Sequence, residues 1–143
     1  MTNEEIVGLL VHHGVKPTPN RILIAQALAA ATRPSSQPEL ERRVETLDKS
    51  SIFRTLGTFR VHGLVHVIED GSDTVKYELC LSHDADHDDD QHVHFYCERC
   101  NRTYCLESIH IPQVTLPAGY EVHGVNYVIK GLCPHCARQA SME

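Results

Sequence analysis

The 143-residue chain sets 13 Lys and Arg against 19 Asp and Glu, a formal net charge of −6, and carries 11 histidines and 6 cysteines. No run of about 18 apolar residues offers a membrane span, and the opening MTNEEIVGLLVHHG has glutamates where a secretion signal needs lysine or arginine. A cytoplasmic protein with no membrane partner is expected, and in that compartment six cysteines point to metal or thiol chemistry rather than structural disulfides. The charge is uneven: residues 1–81 hold nine Lys/Arg against ten Asp/Glu, and residues 82–143 hold four against nine. Two modules are implied, with any anion-binding surface in the first.

In chain order, Thr2 and Glu5 read as a capping box ahead of Ile6, Leu9 and Leu10, which recur at helical spacing. In TPNRILIAQALAAA, Thr18 can cap a second helix whose first position takes Pro19, where the missing N–H costs nothing. Ser36 and Glu39 repeat the capping box ahead of Leu40, Val44 and Leu47. A fourth helix is predicted over KSSIFRTLGTFRVHG, with Ile52, Leu56 and Phe59 inward, Ser50, Phe53, Arg54 and Gly57 outward, and Gly63 as the stop. LVHVIE and TVKYELC, joined by DGSD, read as a hairpin. Helices followed by a two-stranded wing have the order of a winged helix-turn-helix, assigned to residues 1–81.

LSHDADHDDDQ has seven Asp or His in eleven residues and no apolar periodicity, so residues 82–91 read as a solvated loop or linker, with or without a metal role. HVHFYC, RTYCLE and YEVHGVNYVIKG are predicted strands of a smaller module over residues 92–143. The fold class expected is α+β.

CERC and CPHC place Cys97, Cys100, Cys133 and Cys136 in two C-x-x-C knuckles, the spacing of a four-cysteine zinc site. Such a shell is saturated, so it staples a fold and does not catalyse. A thioredoxin-like redox pair is the rival, disfavoured because neither C-x-x-C is expected to open a helix after a strand in a βαβ setting. His92 and His94 stand two apart in a predicted strand and would share a face, as would Glu78 and Cys80. Taken singly, each is more often a plain surface residue; as two such pairs flanking an Asp/His loop they read as ligands of a second metal. A zinc hydrolase lacks an H-E-x-x-H-like arrangement around Glu107, and a zinc storage protein remains the binding-module alternative.

KPTPNR, SSIFRTLGTFRVHGLV and YEL followed by HVHFYCERC and CPHC together resemble the ferric uptake regulator (Fur) family of metal-responsive bacterial repressors, over nearly the whole chain. The resemblance implies a homodimer, a winged helix on operator DNA that is an AT-rich inverted repeat, a structural zinc on the four cysteines, and a regulatory divalent metal. It carries over Glu78, His92 and His94 as regulatory ligands, and Cys80 is similar to a cysteine of zinc-sensing members. His66 and Glu69 are then further candidates. Two departures stand out: TRPSS has no histidine where the family usually has one, and Cys105 replaces a usual carboxylate. Thiolates at Cys80 and Cys105 favour zinc over iron(II), while Glu107 and His110 are spare ligands for an iron or manganese site. Peroxide or haem sensing are the remaining alternatives. For DNA, Lys49, Ser51, Phe53, Arg54 and Arg60 lie on or beside the expected recognition helix, with Lys16 and Arg21 near the second helix. Phe53 stands where the family has tyrosine.

Overall fold

The computed structural model describes residues 1–80, 92–123 and 125–143, which fall into two compact units, Met1–Asp90 and Gln91–Glu143. The first holds α1 (Asn3–His12), α2 (Pro19–Ala30), β1 (Ser35–Ser36), α3 (Gln37–Arg43), α4 (Lys49–Val61), β2 (Val65–Ile68) and β3 (Lys76–Leu79). Each of the four helices opens on a side-chain cap: Thr2, Thr18, Ser36 and Asp48 accept the backbone N–H of the residue three positions on. At Ser36 the box is reciprocal, because the Glu39 carboxylate also accepts the Ser36 N–H at 3.3 Å. The stripes expected from the sequence meet in one core built on Ile6, Leu10, Ile24, Leu40, Leu56 and Phe59. Gly63, at φ +72, ends α4 and lets the Leu64 N–H return to the Phe59 carbonyl at 2.8 Å.

The wing has three strands rather than the expected two, in the order β1-β3-β2, all antiparallel. The two serines of β1 pair with Tyr77 and Lys76, a contact too short to carry any alternation in sequence. The β2–β3 turn is tied internally. Asp70 accepts the Ser72 N–H at 2.9 Å, and its other oxygen takes the Lys76 ammonium at 2.8 Å, with both side chains almost fully buried.

The second unit is a three-stranded sheet of order β5-β4-β6, from β4 (His92–Cys97), β5 (Thr103–His110) and β6 (Val128–Gly131), closed by α5 (Pro134–Ser141). β5 runs antiparallel to β4 and β6 parallel to it. The strand expected over YEVHGVNYVIKG is confined to Val128–Gly131. Tyr120, Val122 and Val125 are exposed and take part in no strand pairing among the described residues, while the Tyr127 carbonyl accepts the His94 N–H at 3.0 Å just ahead of β6. Cys133 is the N-cap of α5 and Pro134 its first residue, so CPHC opens a helix after a strand, but not in a βαβ setting, since no strand follows α5 among the described residues. Among the described residues, no helix is long and apolar enough to cross a membrane.

Candidate metal centre and nucleic-acid interface

The first knuckle is formed where β4 ends. The Asn101 N–H reaches the Cys97 carbonyl at 2.9 Å, and Asn101 takes the left-handed conformation, φ 61, that asparagine tolerates. The Glu98 N–H binds the Gly131 carbonyl at 2.8 Å, which ties this knuckle to the end of β6, from which the second knuckle and α5 follow. At Gly131 a Cβ would stand 3.2 Å from the Phe95 ring, so the close approach favours glycine.

These constraints bring Cys97, Cys100, Cys133 and Cys136 together, all four sulfurs lying within 4.8 Å of one another and Cys100 Sγ 4.0 Å from Cys133 Sγ. A tetrahedral zinc with bonds of about 2.3 Å sets its sulfurs about 3.8 Å apart, so the donor set and its spread fit one zinc ion. The electrostatics agree. Burial raises the Cys97 thiol, yet the backbone N–H groups of Cys100, Cys133 and Arg99 outweigh it and bring it to about 6. The Cys136 backbone N–H lowers Cys133 against the opposing effect of burial. Cys136 itself is pushed up to about 12, by burial and then by the neighbouring cysteines. Four crowded thiols therefore cannot all ionise on their own, and a divalent cation is what relieves them. Tyr104 lies against the cluster, 3.8 Å from Cys100 Sγ, and burial with that sulfur raises it to about 12. Sequence reasoning did not single out Tyr104; its position four residues after Cys100 on the next strand is the only signal.

The other candidate ligands are described unit by unit. In the first, His66 on β2 and Glu78 on β3 are cross-strand partners, with His66 Nε2 2.7 Å from a Glu78 oxygen. Cys80 is buried just past β3, its N–H bound to the Leu64 carbonyl at 2.7 Å, and Glu69 is exposed beyond β2. In the second unit, His94 is buried on β4 directly opposite Cys105 on β5, so the two side chains share a sheet face. The β4–β5 register breaks between His92 and Val93, so simple alternation does not carry from His94 back to His92. The side chains of His92 and Glu107, and the acidic stretch 81–91, lie outside the described residues. His110 is exposed near the end of β5.

On α4, Ile52, Leu56 and Phe59 are buried while Lys49, Ser50, Phe53, Arg54 and Arg60 are exposed and Ser51 half-buried. Phe53, 63% exposed, is a large apolar group in water with no packing reason to be there. Lys16 and Arg21 flank the start of α2, where an Arg21 N–H donates to the Lys16 carbonyl at 2.9 Å. Among the described residues, none of Lys16, Arg21, Lys49, Arg54 and Arg60 forms an ion pair with a carboxylate. Arg33 and Arg43 both turn to Glu39, at 3.1 and 3.6 Å, and Lys76 turns to Asp70. Asp48, the α4 cap, is held below the usual carboxylate range by its Ser51 hydrogen bonds and then by the Arg54 charge.

The model of the ferric uptake regulator family matches residues 12–127. Among solved structures, a zinc uptake regulator complexed with zinc and DNA is 18% identical, with a TM-score of 0.67 over 99% of each chain. The Helicobacter pylori ferric uptake regulator is 15% identical, TM-score 0.64, over 96% of this chain and 95% of that one. A zinc-bound manganese uptake regulator is 20% identical, TM-score 0.60, over 93% and 99%. At such identities these structures speak for the fold.

Proposed function

This chain belongs to the ferric uptake regulator family, and from that premise we propose that it is a cytoplasmic, metal-dependent transcriptional repressor. It binds operator DNA, an AT-rich inverted repeat, as a homodimer when its regulatory metal is bound, with zinc the favoured ion and iron(II) next. Residues 1–81 are the DNA-binding domain, 82–91 the linker and 92–143 the dimerisation domain. The observation that carries the reading is the division of cations in the first unit: Lys16, Arg21, Lys49, Arg54 and Arg60, on or near α2 and α4, have no carboxylate partner among the described residues, and they stand beside an exposed Phe53. A solvent-facing helix with free guanidinium and ammonium groups and one apolar ring suits phosphates, base edges and thymine methyls.

The four-cysteine cluster holds a structural zinc, which would supply a saturated staple and no open position for catalysis. A second, exchangeable ion is ligated by His92 and His94 with Glu78 and Cys80, drawing also on His66, Glu69 or Cys105. Two observations support this: the His66–Glu78 contact at 2.7 Å, which a cation can replace, and Cys105 standing opposite His94. An imidazole beside a thiolate is a donor pair that suits zinc better than iron(II). The ion acts by binding the DNA-competent arrangement more tightly than the alternative, since only such a difference in affinity shifts an equilibrium. Dimerisation is supported by the apolar surface of the second unit. Nine of the sixteen large hydrophobics that are exposed among the described residues fall between Ile109 and Leu132. That is more apolar exposure than an isolated 53-residue unit tolerates well, and a second copy would cover it.

The test is fluorescence anisotropy on a labelled AT-rich inverted-repeat duplex, with protein first stripped by chelator and then supplied with zinc or iron(II). Affinity should rise at least tenfold with zinc, with sedimentation showing two chains per duplex. Affinity that ignores added metal would overturn the regulatory reading.

A further inference from the structure

We propose that the polar pocket between the start of α2 and the exposed face of α4 is a seat for one DNA backbone phosphate, in which Thr18 and Asn20 are phosphate contacts beside Arg21. The proposal rests on the DNA-binding reading and assigns residues that the recognition-helix pattern does not reach. The pocket has a volume of about 370 Å³ and is lined by Thr18, Asn20 and Arg21 from one side and Ser51, Arg54 and Thr58, among others, from α4. Among the described residues, no carboxylate lines it.

What the lining offers is decided by which hydrogen-bonding groups are already spent. Thr18 Oγ1 uses a lone pair to accept the Arg21 N–H at 3.4 Å, so its hydroxyl proton is available. Thr58 spends its proton on the Arg54 carbonyl at 3.1 Å and contributes only wall. Ser51 Oγ lies 3.5 Å from Arg54 Nη2 as acceptor, leaving its own proton to donate. Asn20 is exposed, and its amide makes no hydrogen bond among the described residues. Arg21 commits one N–H to the Lys16 carbonyl, which holds the guanidinium in place and leaves its other donors free. The pocket thus gathers two unpaired guanidiniums, two hydroxyl protons and an amide. A base edge presents donors and acceptors together, whereas a phosphodiester presents acceptors alone, and donors predominate here. Its position on the flank of the recognition helix is where a helix-turn-helix meets the sugar–phosphate backbone.

The test uses the full-length, zinc-loaded protein with two labelled duplexes of equal length, the AT-rich inverted repeat and one of mixed sequence, titrated by anisotropy over a range of salt. Asn20→Ala should weaken both duplexes by the same factor, about three- to tenfold, with an unchanged salt slope, because a neutral donor to phosphate is lost. Arg21→Gln should weaken both and flatten the salt slope by about one per protomer bound. Asn20→Ala should leave the melting temperature unchanged, since its side chain holds nothing in the fold. Wild-type affinity for both duplexes in both variants would overturn the seat while leaving DNA binding intact. A loss in Asn20→Ala confined to the inverted repeat would overturn it too, by making Asn20 a base contact. A wild-type protein that binds neither duplex would bring down the DNA-binding reading and the seat with it.

Discussion

Replacing Cys133 with serine removes one of the four sulfurs on which the second unit is built. That unit spans residues 91–143, and its buried cluster among the described residues is Cys97, Cys133 and Cys136, with Cys100 and Tyr104 packed against it. Among the described residues, Val93 is its one fully buried aliphatic side chain, good for about 2 to 3 kcal/mol. A structural zinc contributes roughly 10 to 16 kcal/mol to folding, so one ligand of four carries about 3 to 4 kcal/mol if the share is even. A domain of this size has a net stability of about 3 to 8 kcal/mol. The substitution therefore takes most of what there is. Far-ultraviolet circular dichroism should show the second unit melted at room temperature or stabilised only by excess zinc, with the first unit's helices retained. Zinc content should fall below one ion per chain, and sedimentation should report monomer. A Cys133→Ser protein that melts with the wild type and stays dimeric would refute the reasoning, because the cysteine cluster is the buried core on which the β5-β4-β6 sheet and α5 close. Cys105→Ser is the control, since that thiol lies outside the cluster.

Zinc uptake by the cluster should depend on pH. Burial and the neighbouring cysteines push Cys136 up to about 12, so it holds its proton at neutral pH and must release it to bind, while Cys97, brought to about 6, has largely released its own. Protons compete with the ion, so competition with a chromogenic chelator between pH 6.5 and 8 should show affinity rising about tenfold or more per pH unit; a flat profile would contradict the assignment. Arg54→Ala should cost about 1 to 3 kcal/mol on the inverted repeat alone if Arg54 pairs with a base, or weaken all sequences and flatten the salt slope if it meets phosphate; unchanged anisotropy would remove it from the interface. His92→Ala combined with His94→Ala should keep the structural zinc and the dimer but abolish the gain in DNA affinity on metal addition, and a retained response would put sensing elsewhere. Cobalt(II) at the regulatory site should give an intense near-ultraviolet thiolate band that disappears in Cys80→Ser; disappearance in Cys105→Ser instead would make Cys105 the sulfur ligand.

The helices of the first unit were readable because each announces itself locally. Thr2, Thr18 and Ser36 are caps of the right chemistry at the right distance from an apolar stripe, and in the structure each accepts the N–H three residues on. β1 was invisible because two residues, Ser35 and Ser36, carry no periodicity, and their pairing with β3 is fixed by the tertiary fold. The apolar residues Tyr120, Val122 and Val125 misled because a strand needs a partner, and among the described residues the pairing with β4 begins only at Tyr127 and Val128. α5 was missed because its one strong signal, Pro134 at the first position, sits inside a zinc-knuckle motif that invites reading as a loop. The four cysteines were legible as a set because C-x-x-C fixes two ligands by spacing alone. The proposed second metal site was legible only as a pool of candidate ligands, since His66 and Glu78 pair across strands twelve residues apart and Cys105 meets His94 through register, which sequence does not display.

The same logic explains how a chain of net charge −6 can present a face to DNA. Net charge counts carboxylates wherever they stand, whereas a phosphate responds to the nearest unpaired cations within about a Debye length, roughly 8 to 10 Å. In the first unit the acids are placed to consume other cations: Glu39 holds Arg33 and Arg43 at the foot of α3, and Asp70 buries its charge against Lys76 in the wing turn. Asp48 spends its carboxylate on the Ser51 N–H as the cap of α4, so the one acid beside Arg54 is engaged with backbone rather than with the guanidinium. Among the described residues, Lys16, Arg21, Lys49, Arg54 and Arg60 are left over. A weakly charged DNA-binding protein built this way would gain less from counterion release than a basic one, so its affinity for arbitrary DNA would be low and a larger share of its binding would rest on the exposed face of α4. For the metal-switched repressor proposed above that would be an advantage, because a low background would leave the few kcal/mol supplied by a regulatory ion enough to decide whether an operator is occupied.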